Sequence, residues 1–385
     1  MTPKKQKQES KSMLYLLILF IIPIGAAGGY YIGQYTERFM DGKKSMSDIL
    51  FSVIGMFLMI YISLFLQIIV HEGGHWLFGL MTGYRFSSFR IGSFMWIKQE
   101  GSIQFRRFSL TGTGGQCLMA PPEMKDGRFP YVLYNMGGSI ANFFVSLLFV
   151  WISYFTKGTG IVSSFFFIAA ITGFVSSLIN AVPLKLDMIS NDGYNALSLG
   201  KDPESLRSFW IQLKFADLSL KGVPVKEMPR EWFVIPSPEA MKNSMTAFLS
   251  TIACSRLMEE KRFHEAAETI RGLLLMDTAI IGLHRRLMTT DFIYCELVGG
   301  KKTEALMELS DRKQKKFMKV MKNYPSVQRT EYAWALLFDK DEQKARKIRQ
   351  AFEKKIIRYP YPGEAATERE LMEYAERRSR ETATL

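Results

Sequence analysis

The chain has 385 residues, 48% of them hydrophobic and 23% charged, with a formal net charge of +13. That length accommodates two or three domains, and the positive excess comes with no nucleic-acid reader motif, which sets nucleic acid aside as a partner. Cys117, Cys254 and Cys295 are widely scattered, show no metal or redox spacing, and fit reduced thiols on a cytosolic side.

The apolar residues crowd into the first half, as in a membrane domain followed by a soluble one. Residues 1–12 are polar and carry Lys4, Lys5, Lys7 and Lys11, and an apolar run follows from Leu14 to Tyr31. A cleaved signal peptide is one reading, with Gly25-Ala26-Ala27-Gly28-Gly29 as its cleavage region. The length of the run and the apolar sequence beyond it favour a retained transmembrane helix.

After a polar segment, 34–48, a second run extends from Ile49 to Gly83. A helix of this length reaches about 50 Å, beyond the roughly 30 Å of hydrocarbon, which places His71 toward its second end. Within it stands His71-Glu72-Gly73-Gly74-His75. Residues four apart share a helix face, so two imidazoles aim at one ion while Glu72 reaches the water that the ion polarises. Histidines and a glutamate are costly in an apolar span unless they have a function there.

From Tyr84 the pattern shortens. Phe86–Ile97 and Ser102–Leu110 read as two strands of a hairpin around Gln99-Glu100-Gly101, and Thr111-Gly112-Thr113-Gly114-Gly115 reads as a loop. Tyr131–Phe155 and Ile161–Val182 are two further spans, antiparallel because only 156–160 separate them. Pro183 closes the last span, and Leu184–Gly193 is expected to be irregular backbone shielded by protein or lining a water-filled cavity.

Basic residues set the orientation. Lys4, Lys5, Lys7 and Lys11 mark the tail, and Arg85, Arg90, Lys98, Arg106, Arg107, Lys125 and Arg128 mark the 84–130 loop. Lys157 stands alone in the 156–160 turn, and Arg38, Lys43 and Lys44 lie in 34–48. The amino terminus, the 84–130 loop and the carboxyl region are therefore expected to be cytoplasmic, with His71 near that face.

Beyond Gly200 the sequence is that of a soluble helical domain. Arg262–Ala266, Lys301–Ala305 and Asp341–Ala345 repeat a charged turn leading into an alanine-bearing helix, in the manner of stacked tetratricopeptide-like hairpins of longer period. His264 and His284 lie here without a second ligand at helical spacing and read as surface or packing residues.

A catalytic zinc takes three protein ligands and leaves one position open. Met81 occupies the place of a metzincin's third histidine, and Glu100 sits in a turn. Asp192 is the better third ligand, because its span and the His71 helix end on the same side. Its other reading is a helix cap.

These residues resemble the site-2 protease family of intramembrane zinc metalloproteases. His71-Glu72-Gly73-Gly74-His75 resembles its zinc helix, Gly138-Ser139-Ile140-Ala141-Asn142 its Gly-xxx-Asn element, and Asn180, Pro183, Asp192 and Gly193 its Asn-Pro-Asp-Gly motif. The Asp-Gly stands further from the proline than in common members, an arrangement similar to a bacterial subgroup, and this leaves Asp187 as a rival ligand. The resemblance covers about 49–195. It implies cleavage of membrane-embedded proteins or peptides, with Zn2+ held by His71, His75 and Asp192, and with Gly138, Asn142 and Asn180 at the substrate; helix packing is the competing role of Gly138 and Asn142. Glu72 would take the proton from zinc-activated water and return it to the leaving amine.

The expected architecture is mainly α. A tail, first transmembrane helix and outer loop (1–48) precede a polytopic metalloprotease core (49–199) with a small β-hairpin region in its 84–130 loop, and a tetratricopeptide-like soluble helical domain (200–385) completes the chain. The expected setting is the cell membrane, with lipid around the core and a protein partner for the helical domain. The competing function is a non-proteolytic scaffold with a structural or vestigial zinc site. Glu72 speaks against it, since a structural site needs no general base, and the lack of an internal repeat speaks against a transporter.

Overall fold

The computed structural model describes residues 45–108, 113–156, 160–186, 189–300 and 311–383, and scattered positions between 18 and 33. In the first expected span, Leu14–Tyr31, positions 14–17, 20, 24, 27 and 31 lie outside the described residues; those described within it are helical.

Among the described residues, three helices are long and apolar enough to cross a membrane: α1 (Met46–Met81), α2 (Val132–Phe155) and α3 (Ile161–Ala181). The Ser45 hydroxyl opens α1 by accepting from the Asp48 amide. The packing of α1 is inverted relative to a soluble helix. Its exposed residues include Phe51, Phe57, Leu58 and Tyr61, whereas Ser63, Gln67, Glu72, Gly74 and His75 are buried. Hydrocarbon gives apolar side chains no reason to hide, so the interior collects groups that need hydrogen bonds or close backbone approach. The α2–α3 pair follows the same rule. Ser153 and Ser163 hydroxyls each donate to the other's carbonyl, Ser177 donates to the Ser139 carbonyl, and Ala169 and Ala170 are fully buried.

The chain forms two units, 1–92 with 110–202, and 93–109 with 203–385. In the first, β1 (Arg85–Ile91) pairs antiparallel with β4 (Gly115–Ala120), setting Phe89 opposite Cys117 and Ile91 opposite Gly115, with a bulge between Phe86 and Ser88. In the second, β2 (Phe94–Gln99) and β3 (Ser102–Arg107) form a hairpin. Its turn residues Glu100 and Gly101 take φ of 49° and 78°, the primed geometry that matches strand twist.

The expected strand over Phe86–Ile97 is thus two strands. Gly92, at φ 57°, breaks it, and the halves fall in different units. Of the expected glycine loop, Thr113 and Gly114 are irregular, Gly115 already begins β4, and positions 109–112 lie outside the described residues.

After Val182 the backbone makes a minimal pairing of β5 (Lys185–Leu186) with β6 (Ile189–Ser190), then enters the short helix α4 (Asp192–Ser198). Asp187 lies outside the described residues.

The second unit is helical, with α5 (Pro203–Leu220), α6 (Ser244–Glu259), α7 (Phe263–Leu275), α8 (Gly282–Val298), α9 (Arg312–Val320), α10 (Pro325–Ala333), α11 (Glu342–Ile356) and α12 (Pro362–Ala383). Its core is apolar, built on Ile270, Ile293, Tyr294, Phe352 and Met372. Two of the expected helix starts are present, α7 after Arg262 and α11 capped by Asp341, with Ala266 and Ala345 packed into the core. The third, Lys301–Ala305, lies outside the described residues. His284 is half-buried and packs against Phe248.

Candidate metal centre

The 3.6-residue period of α1 puts His71 and His75 on its inner face, one turn apart. Asp192, at the start of α4, completes a cluster. Its Oδ2 lies 3.0 Å from His71 Nε2 and 3.3 Å from His75 Nε2, and the two Nε2 atoms are 3.2 Å apart. Among the described residues this is the one group of His, Cys, Asp or Glu side chains arranged to hold a metal.

The other nitrogen of each imidazole is occupied. His75 Nδ1 donates to the Tyr134 carbonyl at 2.7 Å, since a carbonyl can only accept. His71 Nδ1 lies 2.9 Å from Asn142 Oδ1. With their protons on Nδ1, both rings turn bare Nε2 lone pairs toward a carboxylate oxygen. Three mutually repelling acceptors in van der Waals contact call for a cation between them. A tetrahedral zinc with ligands at about 2.0–2.1 Å separates them by about 3.3 Å, so the donor set fits that ion.

Asp192 is held by its neighbour. Asn191 caps α4 by accepting from the Tyr194 amide, accepts also from the Leu184 amide, and donates to the carbonyls of Ile179 and Val182. Its amide thereby ties the loop, the end of α3 and the start of α4 together. The cap is Asn191 and not Asp192, which leaves the aspartate free to turn inward. Gly193 is required by the same closure, since a Cβ there would sit 2.0 Å from the Ala181 carbonyl oxygen.

Glu72 is buried beside the strand β4. A Cβ on Gly115 would lie 2.6 Å from its Oε1, and the Cys117 backbone N–H faces its carboxylate. Burial pushes the Cys117 thiol well above the usual thiol range, so that sulfur stays protonated beside Glu72. Arg90, fully buried, fixes the approach to β4 by donating to the carbonyls of Gly92 and Gly115 and to the Thr113 hydroxyl. Tyr134 joins the two sides, its hydroxyl donating to the Cys117 carbonyl while its own carbonyl orients His75.

The residues expected at the substrate fall in three places. Gly138 lies under the His71 ring, where a Cβ would come within 2.5 Å of the imidazole. Asn142 is fully buried and bonded to His71. Asn180 donates to the Ser176 carbonyl of its own helix, one turn back. Gln67, Asn191, Arg90 and Tyr134 were not read from the sequence. Gln67 carried a signal, being the one amide in an otherwise apolar stretch one turn before His71; the others depend on folded contacts.

A match to peptidase family M50 spans residues 59–322. No curated protein and no solved structure matches the chain. The match covers well over half of the sequence and includes the two histidines, the glutamate and the aspartate just described. The chain belongs to peptidase family M50, the site-2 protease family of membrane-embedded metalloproteases.

Proposed function

We propose that this protein is an intramembrane zinc metalloendopeptidase that hydrolyses peptide bonds of membrane-embedded substrates near the cytoplasmic face. The observation that carries the reading is the meeting of His71 Nε2, His75 Nε2 and Asp192 Oδ2 beside a buried glutamate, between helices fit to cross a membrane. Those three residues would hold the ion. Zinc, when bound, supplies Lewis acidity that acidifies water and polarises a carbonyl. Glu72 accepts the proton of the attacking water and delivers it to the leaving amine.

A helical substrate keeps its carbonyls bonded internally, so the cut segment must be extended. Among the described strands, β4 pairs with β1 alone and runs beside Glu72, so its free edge suits a substrate strand. The edge near the site is therefore β4, while the 94–107 hairpin belongs to the other unit. The distribution of basic residues supports an enzyme of the cell membrane whose amino terminus and helical domain are cytoplasmic, and the stacked helices of that domain are the proposed place for a protein partner.

The test is Glu72→Gln in the full chain. Glutamine keeps the shape and cannot take a proton, so cleavage of a membrane-embedded peptide should fall by roughly a hundredfold to ten-thousandfold while one zinc per chain is retained. Cleavage at the original rate would remove Glu72 as the base and restore the scaffold reading.

A further inference from the structure

Three spanning helices contribute to a buried chain of amides that ends on His71. Gln67 of α1 donates through Nε2 to the Ala169 carbonyl of α3 at 2.8 Å. Its Oε1 accepts from Asn142 Nδ2 of α2 at 2.6 Å, and the same Nδ2 donates to the Gln67 backbone carbonyl at 2.9 Å. Asn142 Oδ1 then meets His71 Nδ1 at 2.9 Å. Gln67 is 1% exposed and Asn142 fully buried, so no water competes for these bonds.

The direction of every bond is forced from one end. Ala169 offers a carbonyl, which only accepts, so the Gln67 NH2 must face it and the Gln67 oxygen must face Asn142. Asn142 meets two acceptors on that side, so its NH2 points there and its oxygen points to His71. His71 Nδ1 must then carry the proton, and the Nε2 lone pair is left for the metal. Nothing within the imidazole makes this choice. Left alone, the ring would also satisfy Asp192 by donating Nε2–H to it, which blocks the ligand atom.

We infer that Gln67 is a positioning residue for the metal centre: with the Ala169 carbonyl it orients Asn142 and so fixes His71 as the Nδ1–H tautomer. This assigns Asn142 to the metal side of the site, in place of the substrate contact expected from the sequence. Gly173 leaves room for the arrangement, as a Cβ there would lie 2.4 Å from Gln67 Nε2. Partners of this kind, bonded to a metal-ligating histidine, typically change metal affinity 10–100-fold when removed.

The inference rests on the zinc reading of the site, and two measurements on the full-length protein in detergent separate them. The first is zinc affinity by competition with a chelator. Gln67→Leu should bind zinc 10–100-fold more weakly than wild type, and Gly173→Ala, which crowds the same amide without removing a hydrogen-bonding group, should shift it in the same direction. The second is the ring state of His71 in the metal-free protein, read from nitrogen chemical shifts of labelled histidine at a pH where the ring is neutral. Wild type should show a protonated Nδ1, and both variants should gain the Nε2–H form. Unchanged affinity and tautomer in folded Gln67→Leu would overturn the inference. So would weaker zinc binding with the Nδ1–H form intact, because the loss would then be structural. A wild type that binds no zinc yet shows Nδ1–H would fail the zinc reading and leave the orientation chain standing.

Discussion

The two units bury opposite kinds of residue, and the contrast separates function from folding. In the first, the interior of the spanning helices holds Gln67, Glu72, His75, Asn142 and Ser177, while phenylalanines and leucines face outward. In the second, the interior is Ile270, Ile293, Phe352 and Met372, and charged side chains face water. Its main exception is Arg329, 1% exposed, paired with Asp291 at 2.5 Å and Glu368 at 3.3 Å, and stacked over Tyr294. A buried polar group in the first unit lies at the candidate metal centre or at a helix contact. In the second it serves the fold.

The sharpest way to break this contrast is Asp192→Ala. If the half-buried carboxylate exists for the ion, its loss should remove zinc and with it nearly all proteolysis, while the thermal transition of the metal-free protein stays close to wild type. Metal content by atomic absorption and a melting curve read both. Full zinc content in Asp192→Ala, with loss in Asp187→Ala, would move the ligand to the rival aspartate.

Arg329→Leu should do the reverse. Removing the cation leaves the half-buried Asp291 and the buried Glu368 without their partner, a change that costs about 3–5 kcal/mol in comparable sites. The transition of the helical unit should drop accordingly while zinc content is unchanged. A neutral effect on melting would show that the carboxylates take up protons at no cost.

The smallest effect concerns pH. Burial pushes Glu364 up to about 7 and Glu368 up to about 8, from an ordinary carboxylate value of 4.5. The folded form therefore holds protons that the unfolded chain has released, so stability is highest near the unfolded value and declines as pH rises toward 8. His284, lowered by burial, opposes this over the lower part of the window. Melting temperature should fall between pH 5 and 8, and Glu368→Gln should flatten the slope. A rise across that interval would refute the assignment.

How much was legible in the sequence follows the same division. His71, Glu72 and His75 were readable because one helix turn carries them, and Asp192 because topology brought two span ends to one side. β4 was hidden behind a glycine run that reads as loop, and its strand character comes from pairing with β1 and from Arg90. Asn191 was invisible for a related reason. Four backbone groups, at positions 179, 182, 184 and 194, converge on its side chain only once the chain is folded, and sequence pattern carries no trace of that. The helical hairpins of the second unit were visible in their starts, because Asp341 and the buried Ala266 and Ala345 obey local rules of capping and packing.

Near His71 and His75, α1 and α2 meet at glycine. A Cβ on Gly74 would lie 2.2 Å from the Gly137 carbonyl oxygen, and one on Gly137 would lie 2.7 Å from that of Gly74. Where two backbones touch with no side chain between them, there is no rotamer to yield and no gap to widen gradually. The crossing behaves as a fixed pivot, and His71, His75, Tyr134 and Asn142 all sit within about a turn of it. Parting these helices to admit a polypeptide would dismantle the very geometry that must act on it. Under the proposed function, a substrate segment is therefore expected to reach the cluster by a route other than between α1 and α2.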